Sequence, residues 1–211
     1  MSASAHEPSC DAGFSLLEVT AAILILAIAL CAAALLNSRL VSGGQQSKYM
    51  SLAATLAAEK LEDLNRWDVD DPQVCVPTGT ATEGSLTADV LQTTTCDVGT
   101  SASVNYYDDV SISLTNASGN CGGSTWGCFA ETVSSVSGGN TVYTTTYHSP
   151  DGQINTTAPS PTPPSSSTFH RRWVIEANSP VAGTRRVTVL VTLQDLSEQV
   201  PVTFQISLVR P

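Results

Sequence analysis

The stretch that decides the fold is FSLLEVTAAILILAIALCAAALL, residues 14–36. As an α-helix it would be about 34 Å long, enough to cross the roughly 30 Å hydrocarbon core of a bilayer. It contains one charged residue, Glu18, close to its start. A carboxylate is costly in lipid unless it has a partner. The stretch therefore predicts a transmembrane helix whose single charge needs a neutralising group.

The residues around this stretch do not fit a secretory signal peptide. Such a peptide has a basic start, an apolar run of about 7–15 residues and a small-residue cleavage site after it. Here the apolar run is longer, and residues 1–13 contain no Lys or Arg. A plain uncleaved signal anchor is the alternative that length and apolarity allow.

The segment GFSLLEVT, residues 13–20, resembles the N-terminal signal of type IV prepilins and of type II secretion pseudopilins. The resemblance implies that a prepilin peptidase cuts after Gly13, so that residues 1–13 are a leader, and methylates Phe14 as the new N-terminus. It also implies that Glu18 pairs with the N-terminal ammonium group of a neighbouring subunit. A buried charge with such a partner is physically reasonable.

Residues 37–67 are predicted to continue the helix in amphipathic form. Apolar residues recur at spacings of four and three and form a stripe along one face, namely Met50, Ala54, Ala57, Leu61 and Leu64. Gly43 and Gly44 mark a bend or soft point, and Asp70-Asp71-Pro72 ends the pattern. The segment AAEKLEDLNRW, residues 57–67, is similar to this part of minor pilins and pseudopilins. The stripe is expected to dock on a sheet.

Residues 68–211 are predicted to form a β-rich head. Strand-like patterns occupy residues 104–107, 110–114, 140–147, 169–177, 185–193 and 200–209, and Asp108-Asp109 is interpreted as a break between the first two. The Pro/Ser/Thr-rich residues 156–168 are interpreted as an exposed loop. Residues 170–195 resemble the C-terminal sheet of PilV-like minor pilins. The acidic middle of the head resembles nothing specific and is interpreted as a loop-rich insertion.

Four cysteines lie in this head, and they indicate disulfides in an oxidising compartment. Four cysteines allow three pairings, of which the local one is favoured: Cys75–Cys96 with Cys121–Cys128. A structural zinc site is the alternative. The spacing CGGSTWGC, residues 121–128, is longer than that of a usual zinc knuckle.

The charge distribution disfavours nucleic acid as a partner. The formal net charge is −10, and residues 68–151 contain ten acids and no Lys or Arg. Phosphate binding needs basic residues. The basic pairs Arg171-Arg172 and Arg185-Arg186 are interpreted as surface or sheet-edge charge, with contacts to the acidic middle as the alternative.

Motifs for catalysis or cofactor binding are absent from the sequence: there is no G-x-S-x-G, HExxH, Walker A or GxGxxG pattern. Asp68-Val69-Asp70-Asp71 lacks the EF-hand pattern and is interpreted as a solvated helix end rather than a calcium site. No catalytic residue, metal or cofactor is therefore predicted.

Together these observations predict an α+β protein with the type IV pilin fold. Its parts are a leader (residues 1–13), a transmembrane helix (14–36), an amphipathic continuation (37–67) and a head (68–211) in which an antiparallel sheet packs on the helix and disulfides staple the insertion.

The resemblance implies a minor type IV pilin that assists pilus assembly or forms part of the tip. Its implied partners are other pilin subunits, the prepilin peptidase, the assembly platform and the inner membrane, with the head in the periplasm before assembly and at the cell surface afterwards. The alternatives are a type II secretion pseudopilin, a DNA-uptake pilin, which the acidic head disfavours, and a signal-anchored periplasmic enzyme or binding protein.

Overall fold

A computed structural model describes residues 15–113, 128–149, 152–163, 168–194 and 201–211. Within these residues one long helix comes first and ten strands follow it: α1 Leu16–Arg66, β1 Thr82–Gly84, β2 Leu91–Thr95, β3 Ser101–Asn105, β4 Tyr107–Ser113, β5 Cys128–Ser137, β6 Asn140–His148, β7 Ile154–Thr156, β8 Phe169–Ala177, β9 Arg185–Leu193 and β10 Thr203–Arg210. The predicted order of a long apolar helix followed by an antiparallel sheet is confirmed.

The chain divides into two compact units, with the boundary after Gln45. The first unit holds the N-terminal part of α1, in which the large apolar side chains are exposed all around the helix, from Leu16 to Val41. Such a surface is typical of a helix that is covered by lipid or by other helices rather than by its own domain. The helical hydrogen-bonding pattern runs without interruption through Gly43 and Gly44.

The second unit begins with the C-terminal part of α1, which packs on the sheet. Its buried residues are Ala53, Leu56, Ala57, Leu61 and Leu64, and they share one core with side chains of β4, β8 and β9. The predicted stripe is confirmed at its last three positions. Met50 and Ala54 are half-buried, and Ala53 and Leu56 are buried instead, so the contact face is rotated slightly from the predicted one.

The larger sheet is antiparallel, with strand order β10-β9-β8-β4-β5-β6-β7 and β1 beside β8. The predicted strands 169–177 and 185–193 form with the predicted bounds, and 200–209 forms as β10. Alternation decides their orientation: Val187, Val189 and Val191 are buried on the helix side, and Trp173 lies opposite Val189. Strands β2 and β3 form a separate hairpin.

The interpretation of the acidic middle as a loop-rich insertion was wrong where β4, β5 and β6 form. Asp108 and Asp109 do not break a strand: both lie inside β4, which pairs with β5 on one side and β8 on the other. Strands β4 to β7 therefore build about half of the main sheet. The loop prediction for 156–168 holds in part, because β7 ends at Thr156 and Ser160 bridges Tyr143, whereas residues 158, 159 and 161–163 are exposed.

A disulfide links Cys75, after the helix, to Cys96, after β2, as predicted. Cys128 is also disulfide-bonded. Its predicted partner, Cys121, lies outside the described residues, so the pairing Cys121–Cys128 stays a prediction. Cys31 is free and exposed on the apolar part of α1.

Candidate functional site

The apolar part of α1 carries one carboxylate, that of Glu18, in the first helical turn. The residues before and after Glu18 are exposed, as is Glu18 itself. A negative charge near a helix N-terminus interacts favourably with the helix dipole, but this contribution is about 0.3–1 kcal/mol. Ionisable side chains within membrane helices are costly, and they are almost always found paired or facing other helices. The Glu18 carboxylate has no ion-pair partner within the part of the chain that the structure describes.

By length and composition, α1 contains a segment that could cross a membrane, and none of that segment is buried within the protein. The predicted cleavage residue Gly13 and the predicted methylated residue Phe14 both lie outside the described residues. Of the residues that the sequence assigns to processing and assembly, the structure places Glu18 alone, at the start of this helix.

A second group of functional side chains lies where the C-terminal part of α1 meets the sheet. We call it the ionic cluster and define it as Lys60 of α1, Asp108 of β4, Glu131 of β5 and Arg171 of β8. The Arg171 guanidinium binds the Asp108 carboxylate through two parallel hydrogen bonds, from Nε to Oδ1 at 2.6 Å and from Nη2 to Oδ2 at 2.8 Å. Lys60 Nζ lies 3.1 Å from Asp108 Oδ2 and 3.5 Å from Glu131 Oε1.

Burial makes the ionic cluster energetically important. The Asp108 side chain is 0% exposed and the Arg171 side chain is 1% exposed. Burial by itself would raise the pKa of Asp108, but the charges of Arg171 and Lys60 and the hydrogen bonds from Arg171 outweigh it and hold that pKa well below its ordinary value. Burial would likewise lower the pKa of Arg171, and the Asp108 charge raises it instead. Both groups therefore stay ionised at neutral pH.

The ionic cluster ties the helix to the sheet by more than charge. Arg171 Nη1 donates a hydrogen bond to the Leu56 carbonyl oxygen of α1 at 3.4 Å, and Arg171 Nη2 also contacts Glu131. The Lys60 ammonium lies 4.4 Å from the centre of the Trp173 ring, a cation–π distance. An open cleft of about 380 Å³ adjoins the cluster and is lined mainly by charged side chains of α1, β5 and β8.

A further arginine satisfies carbonyl groups at the end of the helix. Arg210 Nη1 donates hydrogen bonds to the carbonyl oxygens of Asn65 and Trp67, at 3.1 and 3.0 Å. The last carbonyl groups of a helix have no partner within the helix, so a cation at this end satisfies them and interacts favourably with the dipole. Arg185 Nη1 instead donates to the carbonyl oxygen of Val74, in the segment after α1, at 3.1 Å.

On the opposite face of β8, His170 contacts two carboxylates. Its Nδ1 lies 2.7 Å from Asp109 Oδ1 and its Nε2 lies 2.8 Å from Asp89 Oδ1. Arg172 Nε donates to the same Asp89 oxygen at 2.7 Å. Neighbouring residues of a strand point to opposite faces, which is why His170 and Arg171 belong to different clusters.

The interpretation of the Arg pairs as surface charge was therefore wrong for Arg171. This side chain is buried and paired with acids of the middle region, which was the alternative reading. Arg172 and Arg186 are partly exposed and pair with Asp89 and Glu176. A signal was present in the sequence: residues 68–151 contain ten acids and no bases, so any ion pair of these acids with Lys or Arg needs a partner from another part of the chain.

No group of three or more His, Cys, Asp or Glu side chains arranged to hold a metal ion occurs among the described residues. Asp71, part of the acidic run after the helix, accepts a hydrogen bond from the Gln73 backbone N–H at 2.8 Å and so stabilises a turn. Comparison of the chain with protein-family models, with curated proteins and with solved structures finds no significant match.

Proposed function

We propose that this protein is a minor subunit of a type IV pilus-like filament, with a structural role in assembly or at the tip and no enzymatic activity. The observation that carries the proposal is the helix α1. Its first part exposes apolar side chains on all sides around a single carboxylate, and its second part is packed on an antiparallel sheet through a buried core and the ionic cluster.

Glu18 is the residue that a plain membrane anchor does not need. A membrane anchor needs length and apolarity only, and a carboxylate in its first turn opposes insertion. The carboxylate becomes favourable when a cation reaches it in the same apolar surroundings. A charged N-terminal ammonium group on Phe14 of a neighbouring helix, produced by cleavage after Gly13, is such a cation. Glu18 thereby favours packing of the helix against other copies or other pilins over the isolated membrane state.

The remaining features are compatible with this role. Disulfide bonds form in oxidising compartments such as the periplasm, where the head of such a subunit resides before assembly. The partners of the proposal are the prepilin peptidase, the inner-membrane assembly platform and other pilins. A type II secretion pseudopilin would use the same helix in the same way and differs in the system that it serves.

The experiment is to replace Glu18 in the full chain and to follow the protein into membranes and into sheared surface filaments. Glu18→Ala and Glu18→Gln should insert into the inner membrane at wild-type levels and be lost from filaments, because both lack the charge. Glu18→Asp should retain part of the incorporation. The matched control is Glu62→Ala, since Glu62 is an exposed glutamate on the other part of the same helix.

Normal incorporation of Glu18→Ala and Glu18→Gln would show that the carboxylate does not pair during assembly. Wild-type protein that never leaves the membrane fraction, in cells that assemble filaments, would favour a signal-anchored protein instead.

A further inference from the structure

The contacts of His170 restrict its protonation state. A carboxylate can only accept hydrogen bonds, and a neutral imidazole has one N–H to donate. Both ring nitrogens of His170 lie within 2.8 Å of carboxylate oxygens, those of Asp109 and Asp89. With a neutral ring, one of these contacts would bring two lone pairs together. The geometry therefore favours the doubly protonated imidazolium, which donates one N–H to each of Asp109 and Asp89.

The surroundings of His170 support this charge state. From β4, Asp109 and Tyr107 face the His170 ring. Asp89, from the segment between β1 and β2, and Arg172, from β8, are the other charged groups around it. On β9 the residue paired with His170 is the uncharged Thr192. Burial would lower the pKa of His170, but the hydrogen bonds to Asp109 and Asp89 outweigh it and raise that pKa. Burial would raise the pKa of Asp89, and its bonds with Arg172 and His170 lower it.

Asp89 belongs to residues 85–90, the connection between β1 and β2, which we call the β1–β2 segment. β1 is paired to β8 through Glu83 and Ile175. At the other end, the Val90 carbonyl oxygen accepts a hydrogen bond from the Tyr106 backbone N–H at 2.9 Å. Between these two points, Asp89 connects the segment to the side chains of β8. The Asp89 side chain is 43% exposed while His170 is 3% exposed, so the carboxylate closes over the ring from the solvent side.

We propose that His170 is a pH-sensitive latch: its imidazolium holds the β1–β2 segment on β8, and loss of one proton releases the segment. Of the two ring protons, the one on Nε2 faces the more exposed carboxylate, since Asp89 is 43% and Asp109 29% exposed. Its loss removes the N–H that Asp89 accepts and leaves Arg172 as the remaining contact of that carboxylate. Release of the segment uncovers His170, which is 3% exposed when Asp89 lies against it. The latch is a property of the head and does not depend on the assembly role of Glu18.

The direction of the pH effect follows from linkage. The pKa of His170 is raised in the closed state above its ordinary value of about 6.5. The latch is therefore fully closed below about pH 6.5 and opens as the pH rises through the higher pKa of the closed state. Between these two pKa values, one proton is released on opening, so the opening equilibrium increases by up to about tenfold per pH unit.

The test is hydrogen–deuterium exchange of the full chain in detergent, read at the Tyr106 amide, which donates to the Val90 carbonyl oxygen of the segment, and converted to protection factors between about pH 6 and about pH 9. In the wild type, protection of this amide should fall by up to about tenfold per pH unit above about pH 6.5. In His170→Gln the protection should be low and independent of pH. In the control His148→Gln, which alters a histidine stacked on Phe129, the wild-type profile should persist.

Wild-type protection that does not change with pH, or the same slope in His170→Gln as in the wild type, would overturn the proposal. If His170→Gln fails to fold, the imidazole of the wild type is examined by ¹⁵N NMR. Two protonated ring nitrogens at about pH 7 would support the latch, and a neutral ring at that pH would refute it.

Discussion

Replacing Arg171 with Met removes the cation that compensates Asp108 while keeping a long side chain in the core. The Asp108 carboxylate is 0% exposed, so it cannot turn to water when its partner is lost. Breaking a buried ion pair by removing one partner costs about 3–5 kcal/mol, because an uncompensated charge stays buried. Lys60 Nζ remains 3.1 Å from the carboxylate, which places the expected loss near the lower end, at about 3 kcal/mol.

The assay is equilibrium denaturation of the full chain in detergent, followed by tryptophan fluorescence, since Trp173 lies beside Lys60 in the core. The matched control is Arg172→Met, the neighbouring residue on the opposite face. Its partner Asp89 is 43% exposed, so this substitution should cost about 1 kcal/mol or less. The double variant Arg171→Met, Asp108→Leu should be more stable than Arg171→Met alone, because it removes the stranded charge.

The free energy of unfolding measured as a function of pH tests the same ion pair independently. In the wild type the pKa of Asp108 is lower in the folded than in the unfolded chain, where it is about 3.9. The stability from this pair is therefore present above about pH 4 and is lost as the pH falls through the lower folded value. Arg171→Met should lose less stability on acidification, because protonation then neutralises a stranded charge. An Arg171→Met loss no larger than that of Arg172→Met would refute the reasoning.

Two further substitutions test the packing of the head. Gly84 has a positive φ of 79°, and an added Cβ would lie 2.5 Å from the Trp173 carbonyl oxygen. Gly84→Ala should therefore lower the free energy of unfolding by about 1–3 kcal/mol more than Gly79→Ala does. Gly79 is the control because its φ is also positive but its added Cβ would meet open space. Thermal denaturation of both variants measures the difference. Replacing Cys75 and Cys96 together with Ser should cost about 3 kcal/mol in the same assay, and a loss under about 1 kcal/mol would contradict a stabilising role of the disulfide.

Sequence patterns predicted those parts of the fold in which apolar residues recur with the spacing of a strand or a helix. The strand 185–193 forms with the predicted bounds because Val187, Val189 and Val191 recur at every second position and are buried on one face. The strand 169–177, which alternates in part, also forms with the predicted bounds. The last helical turns were predicted for the same reason, from the spacing of Leu61 and Leu64.

Strand β5 was missed because its buried positions are small or polar rather than apolar: Cys128, Ala130, Thr132 and Ser134. Their hydroxyl groups bond within the sheet, as between Thr132 and Thr145 at 3.0 Å, and this pairing leaves no alternating apolar pattern in the sequence.

The ionic cluster was missed for a different reason. Asp108 and Asp109 have the composition of a turn, and an isolated carboxylate is unfavourable in a central strand. The partner that makes Asp108 acceptable there, Arg171, lies 63 residues further along the chain. The turn propensity of Asp108 and Asp109 was overridden by a long-range ion pair. The excess of acids in one region indicates that such a pair can form, but it does not identify the residues.

The measurement that tests the proposed function most directly is the mass of the N-terminal peptide of the protein extracted from membranes or filaments. Processing as a pilin predicts a mature chain that begins at Phe14 and carries one methyl group on its new amino terminus. Cells without the prepilin peptidase provide the control and should contain the chain with residues 1–13 still attached. A wild-type chain that retains Met1 in cells with an active peptidase would contradict the proposal, because Glu18 would then have no N-terminal ammonium group at its own depth to pair with.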